Sequence, residues 1–123
     1  MTIFALSTGS GISGIAVIRV SGKNTAEVVK KVTGSKLPSP RVATLTKFNK
    51  NGTKELIDEG VIIWFPAPNS YTGEDLAEFH VHGSRAVINA MHSSISKIKN
   101  CRLAEPGEFT KRAFQNGRMN LLK

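Results

Sequence analysis

Gly9-Ser10-Gly11-Ile12-Ser13-Gly14, followed directly by Ile15-Ala16-Val17-Ile18-Arg19-Val20, decides the fold class. The glycines match G-x-G-x-x-G, the loop that seats a dinucleotide pyrophosphate on the N-terminus of the helix behind it. What stands behind it here is β-branched and nearly continuous, the composition of a strand buried on both faces. A strand in place of the helix argues against a dinucleotide site. It leaves a glycine loop between two strands, whose backbone N–H groups could still approach a ligand. Ile3-Phe4-Ala5-Leu6 is the strand before the loop. The chain has no G-x-x-x-x-G-K-[ST], and so no nucleoside-triphosphate phosphate loop of its own.

Beyond this pair the elements are mixed. Asn24, with Glu27 three residues on, is a capping-box signal for a helix carrying Ala26, Val28, Val29 and Val32, and Gly34 is a stop. Val42 to Phe48 alternates as a strand, Asn51-Gly52 signals a hairpin, and Glu59 to Phe65 returns as an apolar strand. An irregular stretch from Pro66 to Gly73 leads to Glu78-Phe79-His80-Val81-His82. There Phe79 and Val81 face one way and Glu78, His80 and His82 the other. Ser84 caps a helix with a stripe of Val87, Ile88, Met91, Ile95 and Ile98. Pro106-Gly107 opens a short last helix through Phe109, Ala113 and Phe114, ended by Gly117. Strands and helices without strict alternation predict an α+β domain: a mixed or antiparallel sheet with about three helices.

At 123 residues the chain fits one domain. With 40% hydrophobic and 21% charged residues it reads as globular. A single cysteine, Cys101, excludes a disulfide framework and multi-cysteine metal sites. No apolar run reaches the length of a membrane helix and the amino terminus lacks a signal-peptide pattern, so no membrane is expected and the address is a reducing cytoplasm or organelle matrix. The net charge of +8 is unevenly spread: +5 over residues 1–41, −2 over 42–96 and +5 over 97–123. If the two ends meet they make one positive surface for phosphate, polyglutamate or nucleic acid; the alternative is a lysine-rich solubilising exterior.

His80-x-His82 with Glu78 has the composition of a metal site, but no further ligand cluster completes it, and no metal is expected. Cys101 has no flanking base for a catalytic dyad. Glu78 is the more informative residue. A carboxylate entering an otherwise apolar strand can accept two parallel hydrogen bonds from an amidine-like edge, such as that of a pterin or guanine. Arg19, near the end of an apolar strand, is its complement and needs an anion from the protein or from a ligand. The alternative is that Arg19 and Glu78 simply pair with each other.

Four blocks carry a resemblance. They are Ile15-Ala16-Val17-Ile18-Arg19-Val20-Ser21-Gly22, Trp64 to Asp75, Glu78-Phe79-His80-Val81-His82-Gly83, and Ala104 to Phe114 with Asn116-Gly117-Arg118. In order and spacing they resemble the amino-terminal domain of the MnmE (TrmE) family of tRNA-modification GTPases. The resemblance implies a folate-binding, homodimerising module over residues 1–118, similar in fold to folate-dependent aminomethyltransferases, with residues 119–123 beginning a helical domain. It implies folate contacts at Arg19, Glu78 and Arg118; arginine stands at the last position where the family often has lysine, and Asn120 replaces a common aspartate. The implied ligand is a tetrahydrofolate, 5-formyl or 5,10-methylene. The implied parent hydrolyses GTP with Mg²⁺ and K⁺ outside this stretch. With the flavoprotein MnmG (GidA) it modifies the wobble uridine of tRNA at C5. The stretch alone, without a phosphate loop, is expected not to hydrolyse GTP, and no catalytic residue is expected in it. Two other readings compete: a basic tRNA-binding module without folate, which its few aromatics support poorly, and a stand-alone one-carbon transferase, for which no acid/base pair beyond Glu78 is present.

Overall fold

The computed structural model describes residues 1–7 and 14–118. The glycine loop ahead of Gly14, Asn120 and the expected start of a helical domain at 119–123 lie outside the described residues. Six strands and three helices run in the order β1 (Thr2–Leu6), β2 (Ile15–Ser21), α1 (Thr25–Thr33), β3 (Thr44–Asn49), β4 (Leu56–Phe65), β5 (Leu76–His82), α2 (Arg85–Ser96), β6 (Cys101–Leu103) and α3 (Glu108–Gln115). They build one mixed sheet of order β3-β4-β5-β2-β1-β6, antiparallel except for β1 beside β6. The α+β class is therefore as the sequence predicts. Among the described residues no helix is long and apolar enough to cross a membrane.

Strand alternation sorts the side chains into two faces. Phe4, Ile18, Val20, Ile62, Ala77, Phe79 and Val81 turn to one face, where Val28, Val29 and Val32 of α1 and Met91 and Ile95 of α2 close the core. Phe48 and Phe79 meet there edge to face at 5.4 Å. β2 was expected to be buried on both faces. Instead Ile18 and Val20 are buried while Val17 and Arg19, on the opposite face, are only half-buried.

Local signals mostly hold. Gly34 ends α1 in a left-handed conformation with φ 67°, and the Ser84 hydroxyl accepts the Val87 N–H at the start of α2. The capping box at Asn24 does not form. The Asn24 N–H donates to Thr2 Oγ1, its side chain makes no cap bond, and Glu27 pairs instead with Lys31. Gly22 (φ 140°) makes this possible, because a Cβ there would stand 2.6 Å from Thr2 Cα. Strand β6 has no counterpart in the sequence reading: three residues carry too little alternation to register, and its pairing with β1 spans almost the whole chain.

Candidate functional site

The face away from α1 and α2 holds the residues singled out by charge. β2 and β5 are antiparallel neighbours whose register sets Arg19 opposite Glu78 and Val17 opposite His80. Ile63 of β4 flanks Glu78 and Ala5 of β1 flanks Arg19, so a charged pair sits in a row with apolar ends. Arg19 Nη2 donates to Glu78 Oε2 at 3.3 Å, and His80 Nε2 lies 3.1 Å from Glu78 Oε1. The side chains are 26% and 18% exposed, enough for a ligand to reach them and little enough to weaken screening by water. The Arg19 guanidinium also lies 5.1 Å from the centroid of the Tyr71 ring, a cation–π contact, while its buried Nε has no hydrogen-bond partner.

Each partner of Glu78 opens onto a different cleft. Arg19 lines one of about 610 Å³ with Tyr71, His92, Leu103, Phe109 and Thr110. It follows the half of β1 that extends beyond β6, whose ladder ends where the Ala104 N–H donates to Phe4 O. His80 lines the other, about 310 Å³, with Ile15, Val61, Ile63 and His82. Both volumes fall in the range of small-molecule sites. His92 contacts Phe4 edge to face at 5.3 Å, and burial lowers its pKa. His82 turns to a different carboxylate, with Nδ1 2.9 Å from Asp58 Oδ1. Burial alone would raise the Asp58 pKa, but hydrogen bonds from the His82 backbone N–H and ring hold it below the usual carboxylate range. The two histidines of the H-x-H pattern thus serve separate acids, and no group of three potential metal ligands occurs among the described residues.

Arg118 lies just beyond α3. Its Nε donates to Ser70 O at 3.1 Å, so it braces the loop that carries Tyr71 and makes no hydrogen bond to Arg19 or Glu78. Gly73 (φ 81°) gives it room: a Cβ there would stand 3.2 Å from Arg118 Cγ. The same loop is tied to the sheet by a network that sequence reading missed. Glu74 accepts from Ser21 Oγ at 2.8 Å and Arg112 Nη1 at 3.1 Å. Arg112 also reaches Glu108 (3.2 Å), which Arg102 grips with two bonds of 2.6 and 2.8 Å. That grip holds the Glu108 carboxyl at a pKa of about 2. Tyr71 Oη meets Thr110 Oγ1 at 3.1 Å, joining the loop to α3 across the first cleft. Apart from Arg102, the residues involved sit inside the blocks that carried the resemblance, but pairs such as Glu74 and Arg112 are 38 positions apart and have no local signature.

Fold and site together define a class: a six-stranded α+β domain with an arginine–carboxylate pair between two clefts on its open sheet face. The profile of the family described as GTP-binding protein TrmE N-terminus matches residues 2–118, and the chain belongs to that family. It is 72% identical over 123 residues, its whole length, to the tRNA modification GTPase MnmE of Pelagibacter ubique, covering 28% of that protein. It is 48% identical over 120 residues to the protein of the same name from Parvibaculum lavamentivorans, covering 98% of this chain and 27% of the relative. A Danio rerio protein, the mitochondrial 5-taurinomethyluridine-[tRNA] synthase subunit GTPB3, is also 48% identical over 120 residues, covering 98% of this chain and 24% of its own length. The chain thus spans about a quarter of the length of these relatives.

Proposed function

We propose that this domain binds a reduced folate and dimerises as the amino-terminal part of a tRNA-modifying GTPase. In this reading GTP, Mg²⁺ and K⁺ bind elsewhere in the parent, and these residues alone do not hydrolyse GTP. The parent acts with the flavoprotein MnmG on the wobble uridine of tRNA, in the cytoplasm or the mitochondrial matrix. The observation that carries the folate reading is the half-buried Arg19–Glu78 pair with the adjoining cleft of about 610 Å³. Each Glu78 oxygen has one protein partner and a lone pair to spare, so the carboxylate can accept from the adjacent N–H groups of a pterin. Arg118 acts on this site through the Ser70–Tyr71 loop, and its guanidinium supplies charge near the anionic tail. Tetrahydrofolate, as the 5-formyl or 5,10-methylene derivative, would supply a one-carbon unit when bound; the chain's own residues bind and orient it.

Dimerisation has a surface to use. Leu45 is 70% and Ile15 57% exposed on the open face, with Val61 and Ile63 between them. Calorimetric titration with 5-formyltetrahydrofolate tests the ligand. Glu78→Gln puts a donor where an acceptor is needed, and its affinity is expected to fall ten- to a hundredfold, the worth of a charge-assisted hydrogen bond of roughly 1.5–3 kcal/mol. Equal affinity in wild type and Glu78→Gln would place the site elsewhere. Sedimentation at rising protein concentration tests the dimer; a strict monomer would refute it for this domain.

A further inference from the structure

The two basic ends of the sequence do not contribute alike to the surface. Arg19, Arg102 and Arg112 are engaged by Glu78, Glu108 and Glu74, and Arg118 by a backbone carbonyl. The lysines of the helical layer are different. Lys30, Lys36, Lys97 and Lys99 are exposed and make no ion pair among the described residues. Lys30 and Lys36 flank a cleft at the C-terminal end of α1. Lys97 lines another beside α2, with Lys50, Thr53, Ser93 and Ser94. Lys99 lies on the turn between α2 and β6, and Glu27 of α1 pairs with Lys31. α1 and α2 pack side by side over the core, so these cations share the helical side of the molecule.

We infer that the helical layer, through Lys30, Lys36, Lys97 and Lys99, is a docking surface for the phosphate backbone of RNA. The inference rests on the tRNA reading proposed above. Charge complementarity gives the first reason. The second is what the patch lacks. Every large apolar side chain that is exposed among the described residues lies off α1, α2 and the turn at 97–100. A protein partner needs an apolar centre in its interface, whereas a phosphate backbone needs only spaced cations and hydroxyl donors. The open sheet face, with Ile15 and Leu45, has the opposite character, so the two faces are suited to different partners.

Fluorescence anisotropy of a labelled tRNA transcript titrated with this chain tests the proposal. Four phosphate contacts predict an affinity that falls roughly a hundredfold between 50 and 200 mM salt, and only about tenfold for the double variant Lys30→Ala/Lys97→Ala. Lys47→Ala/Lys111→Ala changes the net charge equally but alters residues on β3 and α3, and it is expected to keep the wild-type salt dependence. Equal behaviour of the two double variants would overturn the assignment of the surface, as would absence of binding at 50 mM salt. Polyglutamate competing as well as unlabelled RNA would instead make the partner an acidic protein and overturn the RNA assignment. Intact folate binding alongside any of these failures would show that the folate reading stands independently.

Discussion

The two faces of one sheet are made by alternate residues of the same strands, yet they follow opposite rules. On the helical side Ile18, Ile62 and Phe79 are neighbours across three strands and exclude water completely. One residue along, Arg19, Glu78 and Ile63 are equally close neighbours, and the first two are polar, half-buried and ion-paired. Apolar burial supplies most of a domain's stability, so the side that is already packed frees the other to carry charge in a partly dry setting. The open face is therefore the place to look for ligand chemistry, and the packed face for stability.

The comparison breaks first on the packed side. Phe79→Ala is expected to cost about 3–5 kcal/mol in chemical denaturation, because Phe79 is fully buried and meets Phe48 edge to face. Gly60→Ala is next, at about 3 kcal/mol. A Cβ at this position would collide with the backbone carbonyl of His80, and relief requires β4 and β5 to part. The same measurement should show this variant losing stability although it adds apolar volume.

The Arg102–Glu108 grip ranks third. The Glu108 pKa is about 2 when folded, against an ordinary value of 4.5, so the folded state favours the ionised form. That contribution is complete above pH 4.5 and is lost as pH falls towards 2. Glu108→Gln is expected to cost about 2 kcal/mol at pH 7 and to flatten the acid limb of stability against pH. An unchanged limb would mean that other carboxylates set it. The smallest effect belongs to the open face: Glu78→Gln should change stability by less than about 1 kcal/mol while abolishing most folate affinity. A large stability loss would erase the division of labour between the faces.

Much of this was legible along the chain. The alternation in Glu78-Phe79-His80-Val81-His82 separates the two faces without a structure, and Arg19 stands out because it interrupts a β-branched run. That Arg19 and Glu78 are direct neighbours was open, because register depends on strands 59 positions apart. The hairpin signal of Asn51-Gly52 found its turn, closed by the Thr53 N–H on Lys50 O, but only Gly52 takes positive φ, so it is not the two-residue form that Asn-Gly favours. Tyr71 lies within the Trp64 to Asp75 block with nothing local to mark its role; its place over Arg19 comes from the loop anchored by Glu74 and Arg112. Arg118, an implied folate contact, has no local signal for its bond to Ser70 O, because its partner lies 48 positions away.

The strand order has a consequence for synthesis. β1 begins at the second residue of the chain, yet it lies inside the sheet between β2 and β6. Its outer edge is met only when residues 101–103 arrive, and β2 likewise waits for β5. During synthesis the first strand of this domain is thus among the last to be enclosed, and the sheet is completed only after most of the domain has left the exit tunnel. Contacts so distant in sequence make closure slow relative to local helix formation. Until then Thr2, Ile3 and Phe4 present an unpaired apolar edge, the segment that a nascent-chain chaperone would be expected to hold.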